Sequence, residues 1–357
     1  MKKKFSIVVV NFFRVTNPYS GASEVSWNFF KSIQCKDKKL FQFSDKSLNI
    51  KEVKTLKAKT KIHKIFKLKY LSDLISDFCK KKENPIIIIE GASWVGYTFV
   101  LFYFLKNRLN NAKFIYHSHN IEYLLRKKKG NFLITILTKF FENYIGKNFD
   151  IFTAVSKIDK LKLKKLYNIN AKILPNGINF PIIEKVKESK FKFKYIFFCG
   201  SIDYLPNKEA LEILINKIMP IVNKIDPNLK LLVSGNKKIE YKRKYLLNVG
   251  FVNKKKFYRI LKGASVFVNP MRTAFGSQVK MITALVFGKT IIASKKATLG
   301  LTLNYKYRNL LISNNDKNFA DLILKNIDAK KITIASSKYY KNIYSVKNIT
   351  SNFFKKI

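Results

Sequence analysis

The chain has 357 residues, 47% of them hydrophobic, which is more than one core ordinarily organises and enough to fill two. Its formal charge of +48 comes from 70 lysines and arginines against 22 acids, but only seven of the basic residues are arginine. That argues against a nucleic-acid groove, which favours bidentate arginine contacts, and for a compositional bias that gives a generally solvated lysine surface, attraction to an anionic membrane face being the alternative.

Lys2–Lys4 followed by the apolar run Phe5–Val10 imitates a signal peptide, but the run is short and Asn11 and Arg14 interrupt it, so it reads as a first buried strand. Helix-length segments alternate with short apolar runs from there on. Phe5–Val10 precedes a helix over 22–34, Ile86–Ile89 one over 94–108, and Phe114–Tyr116 one over 131–147. The longest apolar stretch, Ile86 to Leu105, carries Glu90 and Gly91 in its first third and splits into strand, turn and helix rather than spanning a membrane. Further strands are expected at Ile151–Ala154, Lys172–Leu174, Tyr195–Cys199, Leu231–Val233, Ser265–Val268 and Thr290–Ala293. Such alternation gives an α/β fold of two doubly wound, Rossmann-like domains facing a cleft, with ligands at the strands' carboxyl ends.

The first domain is expected over 1–180 and the second over 181–335, with Asn176–Pro181 and the charged run Glu184–Lys194 as linker. Residues 336–357 carry Tyr340, Ile343, Tyr344, Ile349 and Phe353 at helical spacing, predicting a helix able to cross back to the first domain. The three cysteines, Cys35, Cys79 and Cys199, share no disulfide framework or metal-ligand spacing, and fit a reducing, cytoplasmic compartment.

Two segments carry chemistry. Tyr195–Cys199 runs into Gly200-Ser201, where a glycine lets a ligand approach the backbone, and a helix starts near Lys208. Phe267–Ser294 reads as a strand ending at Asn269-Pro270, a loop through Gly276-Ser277, and a helix bearing Lys280 and Thr283. Backbone N–H groups from Ser277 through Gln278 to Val279 would meet a phosphate, and Lys280 would add charge.

The order of Gly200-Ser201 and Pro206-Asn207, then Gly250-Phe251-Val252, Val268-Asn269-Pro270, Gly276 to Lys280 and Gly288-Lys289 resembles the C-terminal domain of family-4 (group 1) glycosyltransferases. Ala154-Val155-Ser156 and Pro175-Asn176-Gly177 resemble that family's inter-domain motifs. The resemblance implies a GT-B fold and a retaining glycosyltransferase of hexosyltransferase type. It also implies a nucleotide-diphosphate-sugar as co-substrate, and no required metal or other cofactor. The donor would be held by Gly200, Ser201, Phe251, Val252, Gly276, Ser277, Gln278, Val279 and Thr283, with Lys280 neutralising the leaving diphosphate. In the first domain, His119 resembles the family's cleft histidine, His117 being the alternative, and Gly21, Asn120 and Glu122 would meet a glycan or lipid-linked acceptor. Glu122 and Arg126 are equally a solvated i,i+4 pair.

The pattern departs at Phe275 and Thr283, where many members of the family carry glutamates, and the usual Arg and Lys after the first glycine strand are missing, with Lys280 and Lys208 as substitutes. A non-catalytic nucleotide-sugar-binding relative or partner subunit is therefore the alternative. Peripheral contact with the inner face of an anionic membrane, through side chains such as Phe29, Phe30 and Lys31, competes with core packing of the same aromatics.

Overall fold

The computed structural model describes residues 5–46, 50–80, 82–181, 183–189, 191–236, 241–273, 278–303, 309–328 and 334–357. It divides into two units, one of Met1–Ile178 with Val346–Ile357, the other of Asn179–Ala274 with Gln278–Ser345.

The first unit holds β1 (Ile7–Asn11), β2 (Lys38–Ser44), β3 (Val53–Lys57), β4 (Ile86–Gly91), β5 (Lys113–Ser118), β6 (Ile151–Ala154) and β7 (Lys172–Ile173) in the order β3-β2-β1-β4-β5-β6-β7. The pairings are parallel, as crossover helices require. Ile86–Ile89 is apolar at every position because helices cover both faces of the sheet, and all four residues are buried. Two strands were illegible by hydropathy: β2 carries Lys38, Lys39 and Gln42, and β3 is short. Gln42 is fully buried because its amide is saturated. Its Oε1 accepts from Val15 N at 2.9 Å and Thr16 N at 3.2 Å, and its Nε2 donates to the hydroxyls of Thr16 and Thr55.

The second unit arranges β8 (Tyr195–Cys199), β9 (Lys230–Ser234), β10 (Leu246–Asn248), β11 (Val266–Asn269), β12 (Ile291–Ala293) and β13 (Leu310–Ile312) as β10-β9-β8-β11-β12-β13, again parallel. The expected linker is built into this unit: Lys262 Nζ donates to the carbonyls of Ile183 and Val186, and Ser189 N donates to Arg259 O.

The C-terminal segment forms two helices rather than one. Ile334–Tyr344 stays with the second unit, where Ser337 Oγ donates to Val286 O at 2.5 Å, whereas Val346–Phe354 packs in the first against the helix Gly21–Ser32. Ser32 and Thr350 hydroxyls lie 2.6 Å apart, and Val346, Ile349 and Phe353 share a core with Val9, Phe29 and Phe30. Phe29 and Phe30 are thus interior residues, 2% and 0% exposed, and do not meet a headgroup interface.

This returning helix explains Gly177. A Cβ there would stand 2.7 Å from Val346 Cα, a backbone atom that cannot swing aside. Gly177→Ala is therefore expected to cost about 1–3 kcal/mol, a fall of about 2–8 °C in unfolding temperature by calorimetry. A variant as stable as the wild type would show that the helix does not press on this turn.

Candidate functional site

Parallel strands bring chemistry-bearing residues to their carboxyl ends in each unit. In the first, the β4–β5 register sets Glu90 beside His117. Glu90 ends an all-isoleucine run and is completely buried, where a lone carboxylate would be prohibitively costly. Three groups surround it. His117 Nδ1 lies 3.0 Å from Oε1, His119 Nε2 lies 2.5 Å from Oε2, and Ser26 Oγ donates to Oε2 at 2.9 Å.

Burial alone would push the Glu90 carboxyl up, but the charge interaction and hydrogen bonds from His117 and His119 outweigh it and hold the group well below the usual carboxylate range. Burial lowers His119 from its ordinary 6.5, opposed by the hydrogen bond and charge of Glu90. Glu90 holds both rings at hydrogen-bond distance. A neutral His119 that donates Nε2–H to Glu90 carries its lone pair on Nδ1. His117 Nε2, in contrast, is buried without a partner.

Glu90, His117 and His119 offer one ligand atom each, all within 4.8 Å of one another, and could in principle hold a metal ion. Their atoms also meet one another at hydrogen-bond lengths, as a carboxylate–imidazole cluster. Sequence reasoning weighed Glu90 only against a membrane span. The missed signal was an acid at the end of a buried isoleucine strand, in register with the first of two closely spaced histidines at the end of the next strand.

Of the other expected residues here, Asn120 follows His119, and its Oδ1 is buried without a partner. Gly21 is exposed as the first residue of the helix Gly21–Ser32, capped by Ser20, whose side chain accepts from Ser23 N. Glu122 is buried. Its Oε2 accepts from Val95 N at 2.7 Å, capping the helix Val95–Lys106, and its Oε1 binds Arg126 at 2.7 Å. The pair with Arg126 is therefore structural rather than a solvated surface pair. Glu142 repeats the device, accepting from Glu122 N at 2.8 Å and Tyr123 N at 3.3 Å at the start of the helix Glu122–Lys129, and from Tyr167 Oη at 2.8 Å.

In the second unit, Lys280 extends from the helix Val279–Val286 to the end of β8. Its Nζ donates to Cys199 O at 2.9 Å and to Asn207 Oδ1 at 2.7 Å, and lies 4.6 Å from the Phe198 ring centroid. Asn207 Nδ2 donates to Ser201 O at 2.9 Å, so Gly200, Ser201 and Lys280 meet through one amide. Gly200 is required there, since a Cβ would stand 2.6 Å from Asn207 Cγ. Desolvation pulls Lys280 down to about 8. Neighbouring turns join the same edge: Ser234 Oγ and Gly235 N donate to Gly250 O at 2.9 and 3.2 Å. Gly250 has φ +63°, and beyond it Phe251 is 68% exposed while Val252 is half-buried.

Gln278 caps the helix Val279–Val286, its carbonyl accepting from Met281 N and Ile282 N. Thr283 is buried and turns its hydroxyl back onto Val279 O at 3.0 Å. Lys208 is exposed and not part of the Asn207 cluster. Gly276, Ser277 and Phe275 lie outside the described residues.

Residues 193–328 match the family described as Glycosyl transferases group 1. Over that segment the chain is similar to the group 1 glycosyltransferases. An uncharacterized 44.6 kDa protein in the cps region of Klebsiella pneumoniae is 26% identical over 267 residues, 70% of this chain and 67% of that one. Among solved structures, sucrose-phosphate synthase from Thermosynechococcus elongatus is similar with TM-score 0.75 at 12% identity over 98% of each chain. Anabaena HepE in complex with UDP and glucose follows at TM-score 0.71 and 12% identity, over 98% of this chain and 99% of that one. These likenesses show a GT-B fold.

Two expectations follow from the buried acids. In Glu90→Gln the His119 pKa should fall, read by NMR titration, because the hydrogen bond and charge that raise it are gone; an unmoved titration would mean the ring is not held by the carboxylate. Burial pushes Glu142 up from 4.5 to about 7. The folded protein binds that proton more tightly than the unfolded chain, so this contribution is complete below pH 4.5 and is lost as pH rises through about 7. Stability should fall over this interval by about 3 kcal/mol, and Glu142→Gln should flatten that part of the profile; an equally steep profile in the variant would assign the slope elsewhere.

Proposed function

We propose that this protein moves a hexosyl group from a nucleoside-diphosphate sugar to a glycan or lipid-linked acceptor, with retention of anomeric configuration and without a metal, in cell-surface polysaccharide synthesis. The observation that carries the reading is the Lys280 ammonium held between Cys199 O and Asn207 at the Gly200 turn, within the segment that matches the glycosyltransferase family. The similarity to HepE, solved with UDP and with UDP-glucose, supports a uridine donor, and the Klebsiella relative from a cps region supports the polysaccharide assignment.

In this reading the first unit receives the acceptor and the second the donor. The diphosphate lies at the start of the helix Val279–Val286, whose first N–H groups and Lys280 stabilise the charge that appears as the bond between the anomeric carbon and phosphate oxygen breaks. Lys280 would exchange its present carbonyl and amide acceptors for phosphate oxygens. Gly200 and Ser201 would admit the diphosphate close to the backbone, and exposed Phe251 with Val252 would meet the base. The lone pair on His119 Nδ1, oriented through Glu90, would accept a hydrogen bond from a hydroxyl of the transferred sugar. Asn120 Oδ1 would take a second. The acceptor oxygen attacks the anomeric carbon on the face the diphosphate leaves, and its proton passes to the departing phosphate.

A non-catalytic nucleotide-sugar-binding role has one observation in its favour, the inward turn of the Thr283 hydroxyl where many relatives carry a glutamate. The test is calorimetric titration of UDP, GDP and ADP into the wild type and Lys280→Met. UDP is expected to bind the wild type, about 10–100-fold more weakly in the variant, and more weakly as pH rises through about 8, where Lys280 loses its charge. Equal affinity in wild type and variant would remove Lys280 from the donor site. Binding without sugar transfer to any acceptor would favour the non-catalytic role.

A further inference from the structure

The first half of the helix Phe132–Asn148 turns apolar side chains outward, whereas Phe141, Tyr144 and Ile145 in its second half pack on the core of the first unit. A helix on a globular domain ordinarily turns its apolar stripe inward and its polar face to water. Here the buried residues are Thr138, Glu142 and Ile145, two of them polar, while Phe132, Leu133, Ile136 and Phe140 are 79%, 66%, 49% and 56% exposed. The polar pair has a structural reason to face inward: Thr138 Oγ accepts from Trp94 Nε1 at 3.1 Å, and Glu142 caps the preceding helix. Phe140 meets the ring of Phe99 at 6.2 Å, whereas Phe132 and Leu133 at the helix start are its most exposed apolar side chains.

The charges around this face have one sign. Between residues 122 and 148 the acids are Glu122 and Glu142, and both are buried and engaged with backbone N–H groups. The outward charges are lysines, with Lys127, Lys139 and Lys147 exposed. The lysine-rich end of the helix Glu122–Lys129 and the apolar start of Phe132–Asn148 meet at Gly130, with φ +80° and open space where a Cβ would be. A tip that joins exposed phenylalanine and leucine to clustered lysines has the composition of an interfacial anchor. Apolar side chains enter the acyl boundary while cations remain with anionic headgroups. Among the described residues no helix is long and apolar enough to cross a membrane, so such an anchor would be peripheral.

We propose that residues 127–140 of the first unit dock on an anionic lipid bilayer, with Phe132, Leu133, Ile136 and Phe140 inserted at the interface and Lys127 and Lys139 on lipid phosphates. The lipid-linked acceptor of the reading above would then be met at the surface where it resides; the inference deepens that reading, but partitioning onto vesicles is measured without donor or acceptor.

The experiment is flotation of the full chain with vesicles of phosphatidylcholine alone and of phosphatidylcholine containing about one-third phosphatidylglycerol, at low and high salt. Wild-type protein should float with the anionic vesicles, release as salt rises, and bind the neutral ones about tenfold or more weakly. Phe132→Ser/Leu133→Ser should reduce binding to anionic vesicles at least about tenfold, and Lys127→Ala/Lys139→Ala several-fold, with unfolding temperature and UDP affinity unchanged, since these side chains are exposed and far in sequence from the donor site. Failure of the wild type to bind either vesicle, equal binding to both, or undiminished binding by the serine variant would each overturn the proposal. So would a concentration-dependent dimer abolished by the serine substitutions, which would assign the face to a second copy. Loss of UDP binding with vesicle binding intact would instead count against the donor-site reading alone.

Discussion

In a parallel sheet every strand ends on the same edge, and that constraint places the chemistry of both units. Strand interiors covered by helices on each face must be apolar, so polar side chains accumulate where the strands stop. Asn11 closes β1 and Asn269 closes β11. Both are fully buried with unpartnered amides, a costly arrangement that suits an edge kept for ligands rather than for stability. Glu90 closes the isoleucine run of β4 and draws His117 and His119 from β5 and its following turn, while Gly200 closes β8 and draws Lys280 through Asn207.

The two edges solve opposite electrostatic problems. In the first unit a buried anion is held by His117, His119 and Ser26, which fixes the orientation of the His119 ring. In the second a partly desolvated cation rests on a carbonyl, an amide oxygen and an aromatic face, none of which carries a full charge. Such a cation gains from an incoming diphosphate what its present neighbours do not supply, and this is the physical basis for reading the Gly200–Lys280 cluster as a donor site.

The α/β class and the two-part division were legible because the apolar runs and their helix-length separations are local patterns. Gly200, Ser201 and Lys280 stand out in sequence for a related reason, glycine after a strand and lysine near a helix start being short-range signatures, and the structure brings the three together. What joins them, the Asn207 amide, is separated by 73 residues from Lys280 and could not be read from spacing. Glu90 was hidden by the same logic, since its partners lie 27 and 29 residues away and in sequence it only interrupts an apolar run. β2 was hidden by Lys38, Lys39 and Gln42, whose polarity is absorbed by contacts that exist only after folding. Aromatic content suggested a membrane face at Phe29 and Phe30, which the core consumes, whereas Phe132 and Phe140 are exposed on a helix whose Thr138 and Glu142 face inward to partners.

The account stands most directly on His119 acting at the sugar while Glu90 holds it. The deciding measurement is single-turnover release of UDP from a UDP-hexose, with an acceptor analogue, by wild type and His119→Ala, with donor affinity measured alongside. The account predicts at least about a 100-fold slower release in the variant with donor affinity changed only a few-fold, the pattern of an interaction made in the transition state. Equal rates, or a loss confined to donor affinity, would contradict it.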